Sequence, residues 1–223
     1  MLEPIRCTHS IDKRYTLEFE DGTPANLNPQ DEWKYLLGTI GETIYWKHEG
    51  NTPDIEGEYI ERRVYNNAIM AAEWRANINI KEALHGETAL IRNRWSDKEH
   101  DDLFGSRPGV LYYAWLPSPN SSLNGIMVGN DSYNWGGQPG LKPVGTGGQA
   151  KIYDLQHTQT HELFHLLGLT HDTNYTNAIM WPMYNGVRIP NFNDVARLQR
   201  YGIRKRNTLS DIIIQQRIKR GVK

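Results

Sequence analysis

A single cysteine, Cys7, leaves this chain no partner for an internal disulfide. No apolar run approaches the roughly 18 residues that a membrane-spanning helix needs. A formal net charge of −1 provides little field to gather nucleic acid, which argues against it as the main partner. Internal repeats and low-complexity stretches are absent. The opening Met1-Leu2-Glu3-Pro4-Ile5-Arg6 has no apolar signal core. A cytoplasmic protein, a leaderless export route and a component of a virus particle are all compatible with that. The 223 residues suit one domain, with or without extensions. Charge is unevenly spread. Residues 203–223 hold seven Lys and Arg against Asp211 alone, so the rest of the chain is acidic. A basic end on an acidic body reads as a contact arm for an assembly partner or as a solvated terminal helix.

What is present is concentrated in His161-Glu162-Leu163-Phe164-His165-Leu166-Leu167-Gly168-Leu169-Thr170-His171. Residues four apart on a helix share a face, so His161 and His165 can direct two imidazoles at one ion. Glu162, beside the first of them, can reach a water at that ion without coordinating it. Gly168 permits the left-handed conformation that ends a helix and turns the chain, which brings His171 back as a third ligand. Three histidines leave the fourth tetrahedral position open, the arrangement of a catalytic zinc site. The implied chemistry is peptide-bond hydrolysis by a metal-activated water, with Glu162 as general base and then acid. A bare His-Glu-x-x-His is a weak signal. The added glycine and third histidine at fixed offsets make it a zinc-protease signature.

With that third histidine the chain resembles the metzincin metalloproteases, and within them it is most similar to the matrixins. Asn177-Ala178-Ile179-Met180-Trp181-Pro182-Met183-Tyr184 resembles the matrixin methionine turn. The resemblance makes Met180 the residue beneath the metal, against the plainer reading of a core methionine. It makes Pro182 and Tyr184 the wall of the primed-side specificity pocket. Asn193 to Gly202 resembles the closing helix, which ends in a similar Tyr-Gly. Pro108 to Trp115 resembles the edge strand that receives substrate, with Tyr113 and Ala114 at the pocket; an extended peptide would join it as an added strand. The resemblance spans about residues 56–202 and is specific from Gln159 to Tyr184.

Other positions depart from the family pattern. Matrixins hold a second, structural zinc with a His-x-Asp pair and two later histidines. His100 and Asp102 match the pair, but the later positions are Tyr113 and Val128. No structural zinc is therefore expected, and His100 and Asp102 read as loop residues. The family's calcium loop is altered to Phe104-Gly105-Ser106-Arg107-Pro108-Gly109, which leaves calcium open. Asp172 follows the third ligand where matrixins usually have Ser. Ile5-Arg6-Cys7-Thr8 partly matches the inhibitory Arg-Cys segment of matrixin precursors, which makes Cys7 a candidate latency ligand; the bland reading is an incidental cysteine. His157, one turn before His161, reads as a substrate contact, an extra ligand or a merely hydrogen-bonded histidine.

The remaining pattern predicts a mixed α/β (α+β) fold, a twisted, mostly parallel sheet packed on helices. Residues 1–55 read as an N-terminal extension, 56–202 as a metzincin-like catalytic domain and 203–223 as a basic tail. Arg14–Glu20 alternates as a strand does. Asn28-Pro29 begins a predicted helix to about Lys47, with Trp33, Leu36, Leu37, Ile40 and Ile44 on its inner stripe. A longer helix is predicted from about Ile55 to Asn77, then strands around Ile78–Ala83 and Thr88–Trp95. Residues 117–149, rich in Gly and Pro, read as a long loop with a strand crossing near Gly125–Gly129. Asp154 is the predicted N-cap of the helix that carries the motif. The expected activity is that of a zinc-dependent endopeptidase acting on protein or peptide. The competing reading is a structural or adhesive component of a virion or other large assembly, with the same fold and a vestigial or latent site.

Overall fold

The computed structural model describes residues 6–9, 43–74, 76, 78–106, 109–115, 125–136 and 152–200, with the backbone alone for 6–9 and 199–200. The elements run β1 (Arg6–His9), β2 (Thr43–Glu49), α1 (Glu58–Glu73), β3 (Asn79–Glu82), β4 (Ile91–Ser96), α2 (Asp102–Ser106), β5 (Val110–Ala114), β6 (Ile126–Asn130), β7 (Asn134–Gly136), β8 (Ile152–Asp154), α3 (Leu155–Leu166) and α4 (Phe192–Arg200). Six strands form one sheet in the order β1-β5-β6-β4-β2-β3, and β7 pairs with β8 beside it. Among the described residues only the β5–β6 pair is antiparallel. This is the expected mixed α/β fold. None of the helices among the described residues is long and apolar enough to cross a membrane.

Helices α1 and α3 cover one face of the sheet. Val64, Tyr65, Ile69 and Ala72 of α1 and Leu163, Phe164 and Leu166 of α3 pack against Trp46, Ile91, Tyr112 and Met127. The other face carries a smaller cluster of Phe104, Val110, Tyr113, Ile126 and Val128. Strands β5 and β6 are buried along their whole length, as strands covered on both faces are. Inside the core, Glu61 of α1 is fully buried. Its carboxylate accepts from Thr52 N at 2.7 Å and Trp95 Nε1 at 2.9 Å, and lies 3.1 Å from His48 Nε2. These bonds tie the start of α1 to β4 and to the end of β2.

Two expectations need correction. The stretch that ends the expected 28–47 helix is strand from Thr43 onward. Ile44 fits both a helical stripe and a period of two, and the pairing decides. Ile44 and Trp46 are buried while Tyr45 and Lys47 are not, and β2 is hydrogen-bonded on both sides, to β3 and to β4. Such non-local partners override a local helical pattern. Residues 10–42, with the expected strand at 14–20 and the rest of that helix, lie outside the described residues. The second correction concerns β5. It is not an open edge, because β1 pairs with it in parallel, Thr8 opposite Tyr113 and His9 opposite Ala114. A bare strand edge offers a row of unpaired N–H and C=O groups, and β1 satisfies that row.

Candidate metal centre

Helix α3 is built unlike a surface helix. Eleven of its twelve residues are buried, including His157, Thr158, Gln159, Thr160, His161, Glu162 and His165. The Asp154 side chain caps it by accepting from His157 N at 3.1 Å, as predicted. Thr158 and Thr160 turn their hydroxyls back to the carbonyls of Leu155 and Gln156, at 3.0 and 2.6 Å. Polar side chains are expensive to bury unless each has a partner or a task.

The helix ends at the expected glycine. Gly168 has φ of 93°, a conformation that a side chain would strain. Its N–H bonds to His165 O at 2.8 Å, and Leu169 N bonds to Phe164 O at 3.0 Å, closing the helix in a Schellman motif. Beyond this turn the chain returns His171 to the helix.

The three histidine ligand atoms lie within 4.8 Å of one another, and this is the only such His/Cys/Asp/Glu group among the described residues. Nε2 of His161 is 3.0 Å from Nε2 of His165 and 3.2 Å from Nε2 of His171. Nδ1 of His161 donates to Ile179 O, and Nδ1 of His165 donates to Leu169 O, both at 2.6 Å. A carbonyl oxygen only accepts, so each Nδ1 carries the proton. In the neutral ring each Nε2 then presents a lone pair, and two lone pairs this close repel unless a cation lies between them. Zinc–nitrogen bonds of about 2.0–2.1 Å in a tetrahedron put the nitrogens roughly 3.3–3.4 Å apart. The donor set therefore fits a zinc ion, and the carbonyl partners orient the rings as outer-shell groups do in such sites. His161 and His165 are fully buried, whereas His171 is partly exposed. Glu162, next on the helix, is fully buried. Its charge also acts on Tyr112, whose phenol is pushed up mainly by burial.

The segment that accepts the His161 ring proton is pinned by α4. Asp194, fully buried, accepts from Ile179 N at 2.9 Å, Met180 N at 3.3 Å and Asn191 N at 2.9 Å. Burial raises its carboxyl above the ordinary range, against the lowering effect of those N–H groups. Met180 is fully buried in the main core. Sequence reasoning passed over Asp194, because Ile179 and Met180 lie more than a dozen residues upstream and no local spacing marks them.

Other expected residues go to different places. The Tyr184 hydroxyl accepts from Asp154 N at 2.9 Å, and its ring meets His157 edge-on at 4.9 Å. Pro182 is half-buried just before it. His157 is buried, with Nδ1 2.5 Å from Val187 O, and it lies outside the three-histidine group. Burial lowers its pKa, which favours the neutral ring. Ala114 joins the main core, but the Tyr113 side chain belongs to the smaller cluster. The Tyr113 hydroxyl donates to Asp101 at 2.7 Å, and burial raises its phenol. His100 is exposed and its Nδ1 lies 2.8 Å from Asp97, while Asp102 opens α2. Cys7 falls on β1, where only the backbone is described.

A mixed α/β fold with three converging histidines on and just beyond a buried helix defines a metallopeptidase class of protein. A family profile described as Matrixin matches residues 39–205, about three quarters of the chain. The chain belongs to the matrixin family, which implies zinc and a protein substrate. No curated protein matches it.

Proposed function

We propose that the chain is a zinc-dependent endopeptidase with His161, His165 and His171 as the ligands. The observation that carries this is the convergence of three Nε2 atoms, two of them on rings whose Nδ1 protons are committed to carbonyls. A zinc ion, when bound, supplies a Lewis acid and makes water more acidic at neutral pH. Glu162 then accepts a proton from the attacking water on a carboxylate oxygen and returns it to the amide nitrogen as the C–N bond breaks. Met180, fixed through Asp194, floors the site. Pro182 and Tyr184 border the primed-side pocket, and the backbone at Tyr113 and Ala114 offers the edge for an extended peptide.

That edge is paired with β1, which supports a latent form in which the N-terminal segment excludes substrate. Cys7 lies on the same strand and is the candidate latency ligand. The pairing gives a second way of blocking the cleft that needs no thiol. A silent structural site in a larger assembly would bind zinc and cleave nothing, with β1 or without it.

The test is metal analysis together with cleavage of an unstructured protein. We expect one zinc per chain and cleavage abolished by a chelator. Glu162→Gln should retain zinc and lose about 10²–10⁴ in rate. A parent protein without zinc, or a Glu162→Gln protein that cleaves as well as the parent, overturns the reading.

A further inference from the structure

The three ligands sit on two kinds of backbone. His161 and His165 ride on α3, and each ring is steered by a carbonyl. His171 lies in irregular chain between that helix and Met180, with no helix or strand ladder to fix its backbone. Its neighbours are instead gripped by α4. Arg197 Nη2 donates to Thr170 O at 2.9 Å and to Thr170 Oγ1 at 3.1 Å. The same guanidinium places Nη1 3.8 Å from Asp172 Oδ2. Asn193 Nδ2 also donates to Asp172 Oδ2. Asp172 in turn accepts from Asn174 N at 2.9 Å, and its own N–H bonds to Met180 O at 2.8 Å. One partly buried face of α4 thus holds the residue before His171 and the residue after it.

Packing alone does not account for this. The Arg197 and Asp172 side chains are only 12% and 4% exposed, and burying two charges is costly unless their geometry does something that an apolar pair could not. What they hold in common is the short backbone that carries one imidazole. Asp172 is also the position where the chain departs from the family's usual serine, and Asn193 and Arg197 are the partners that its carboxylate requires.

We propose that Arg197, with Asn193, is a positioning residue for the third metal ligand: it fixes Thr170 and Asp172 on either side of His171 and so sets the metal affinity of the site. This rests on the reading of His171 as a zinc ligand. Groups that orient ligands from outside typically contribute 10–100-fold in metal affinity.

The experiment measures zinc affinity by chelator competition in the full chain for the parent, Arg197→Gln, Arg197→Lys, His171→Ala and the Arg197→Gln/His171→Ala double variant. Cobalt(II) spectra and melting of each metal-free protein are recorded beside it. We expect Arg197→Gln to bind zinc about 10–100-fold more weakly, with Arg197→Lys between it and the parent. The four-coordinate cobalt absorption should weaken in both, while metal-free melting of Arg197→Lys, which keeps a cation beside Asp172, stays near the parent's. In the His171→Ala background, Arg197→Gln should cost nothing further, because the residue through which it acts is gone. Equal zinc binding by the parent and His171→Ala overturns the zinc-ligand reading itself. A loss in His171→Ala with Arg197→Gln within about threefold of the parent overturns the positioning role alone. An equal loss in both backgrounds, or a collapse of metal-free melting in Arg197→Lys as well as Arg197→Gln, assigns Arg197 to the fold and also overturns it.

Discussion

The metal half of the protein, around the three histidines, and the β5 edge of its sheet are secured by different kinds of bond. Around the histidines, buried side chains hold backbone groups: His161 to Ile179, His165 to Leu169, Asp194 to Ile179 and Met180, Arg197 to Thr170. At the edge of the sheet, backbone holds backbone, through a four-residue strand, β1, laid along β5. The first kind commits donors and acceptors that would be costly to leave buried and alone. The second can be exchanged for any extended segment that supplies the same ladder. The difference teaches that the ligand cage is built to stay put and that the β5 edge is covered by something exchangeable.

Removing that strand is the largest perturbation of the comparison. Deleting residues 1–9 should raise kcat/KM for peptide cleavage by about tenfold or more, because a tethered segment competes at an effective concentration on the order of millimolar. Zinc content should not change. Cys7→Ala separates the two modes of latency: strand pairing alone leaves the rate as it was, whereas a thiolate ligand yields the same rise as the deletion. A truncated protein no faster than the parent removes the masking role of β1.

Acid probes the metal half. Burial depresses the pKa of His157 in the folded state below its ordinary 6.5. Its contribution to stability is therefore complete above pH 6.5, where both states hold the neutral ring. It is lost as pH falls below 6.5 toward the folded value, since the unfolded chain takes up the proton first. In denaturant titrations of the metal-free protein, this group adds a slope approaching ~1.4 kcal/mol per pH unit over that window. His157→Gln should remove that part of the slope. An identical pH dependence in parent and variant would contradict the burial argument.

The smallest effect lies on the far side of β5. Tyr113→Phe deletes the bond to Asp101 and should cost about 1 kcal/mol in unfolding free energy, with zinc affinity unaltered. A fall in zinc content would connect this position to the metal half and erase the contrast.

How much of this could be read from sequence depends on distance along the chain. His161, Glu162, His165, Gly168 and His171 were legible because their geometry follows from helical periodicity and one left-handed residue, all within eleven positions. The Asp154 cap and the strands near β3, β4 and β6 were legible for the same local reason. The helix expected through Ile44 failed because two flanking strands, invisible in the local pattern, decide its conformation. The grip of Asp194 on the methionine turn and of Arg197 on Thr170 also escaped notice, since each joins residues fourteen or more apart. Asp172 drew attention as a departure, but the partners that explain it lie two turns along a later helix. The pairing of β1 with β5 spans more of the chain than any other pair in that sheet, and four residues carry no alternation strong enough to announce it.

Leu169 performs two tasks with its backbone. Its N–H closes α3 onto Phe164, and its C=O receives the His165 ring. Neither task involves the leucyl group, so replacements of similar bulk should be absorbed there. A one-residue insertion or deletion between His165 and His171 should not, because it would shift both connections out of phase at once. This link is thus tolerant of spelling and strict about length.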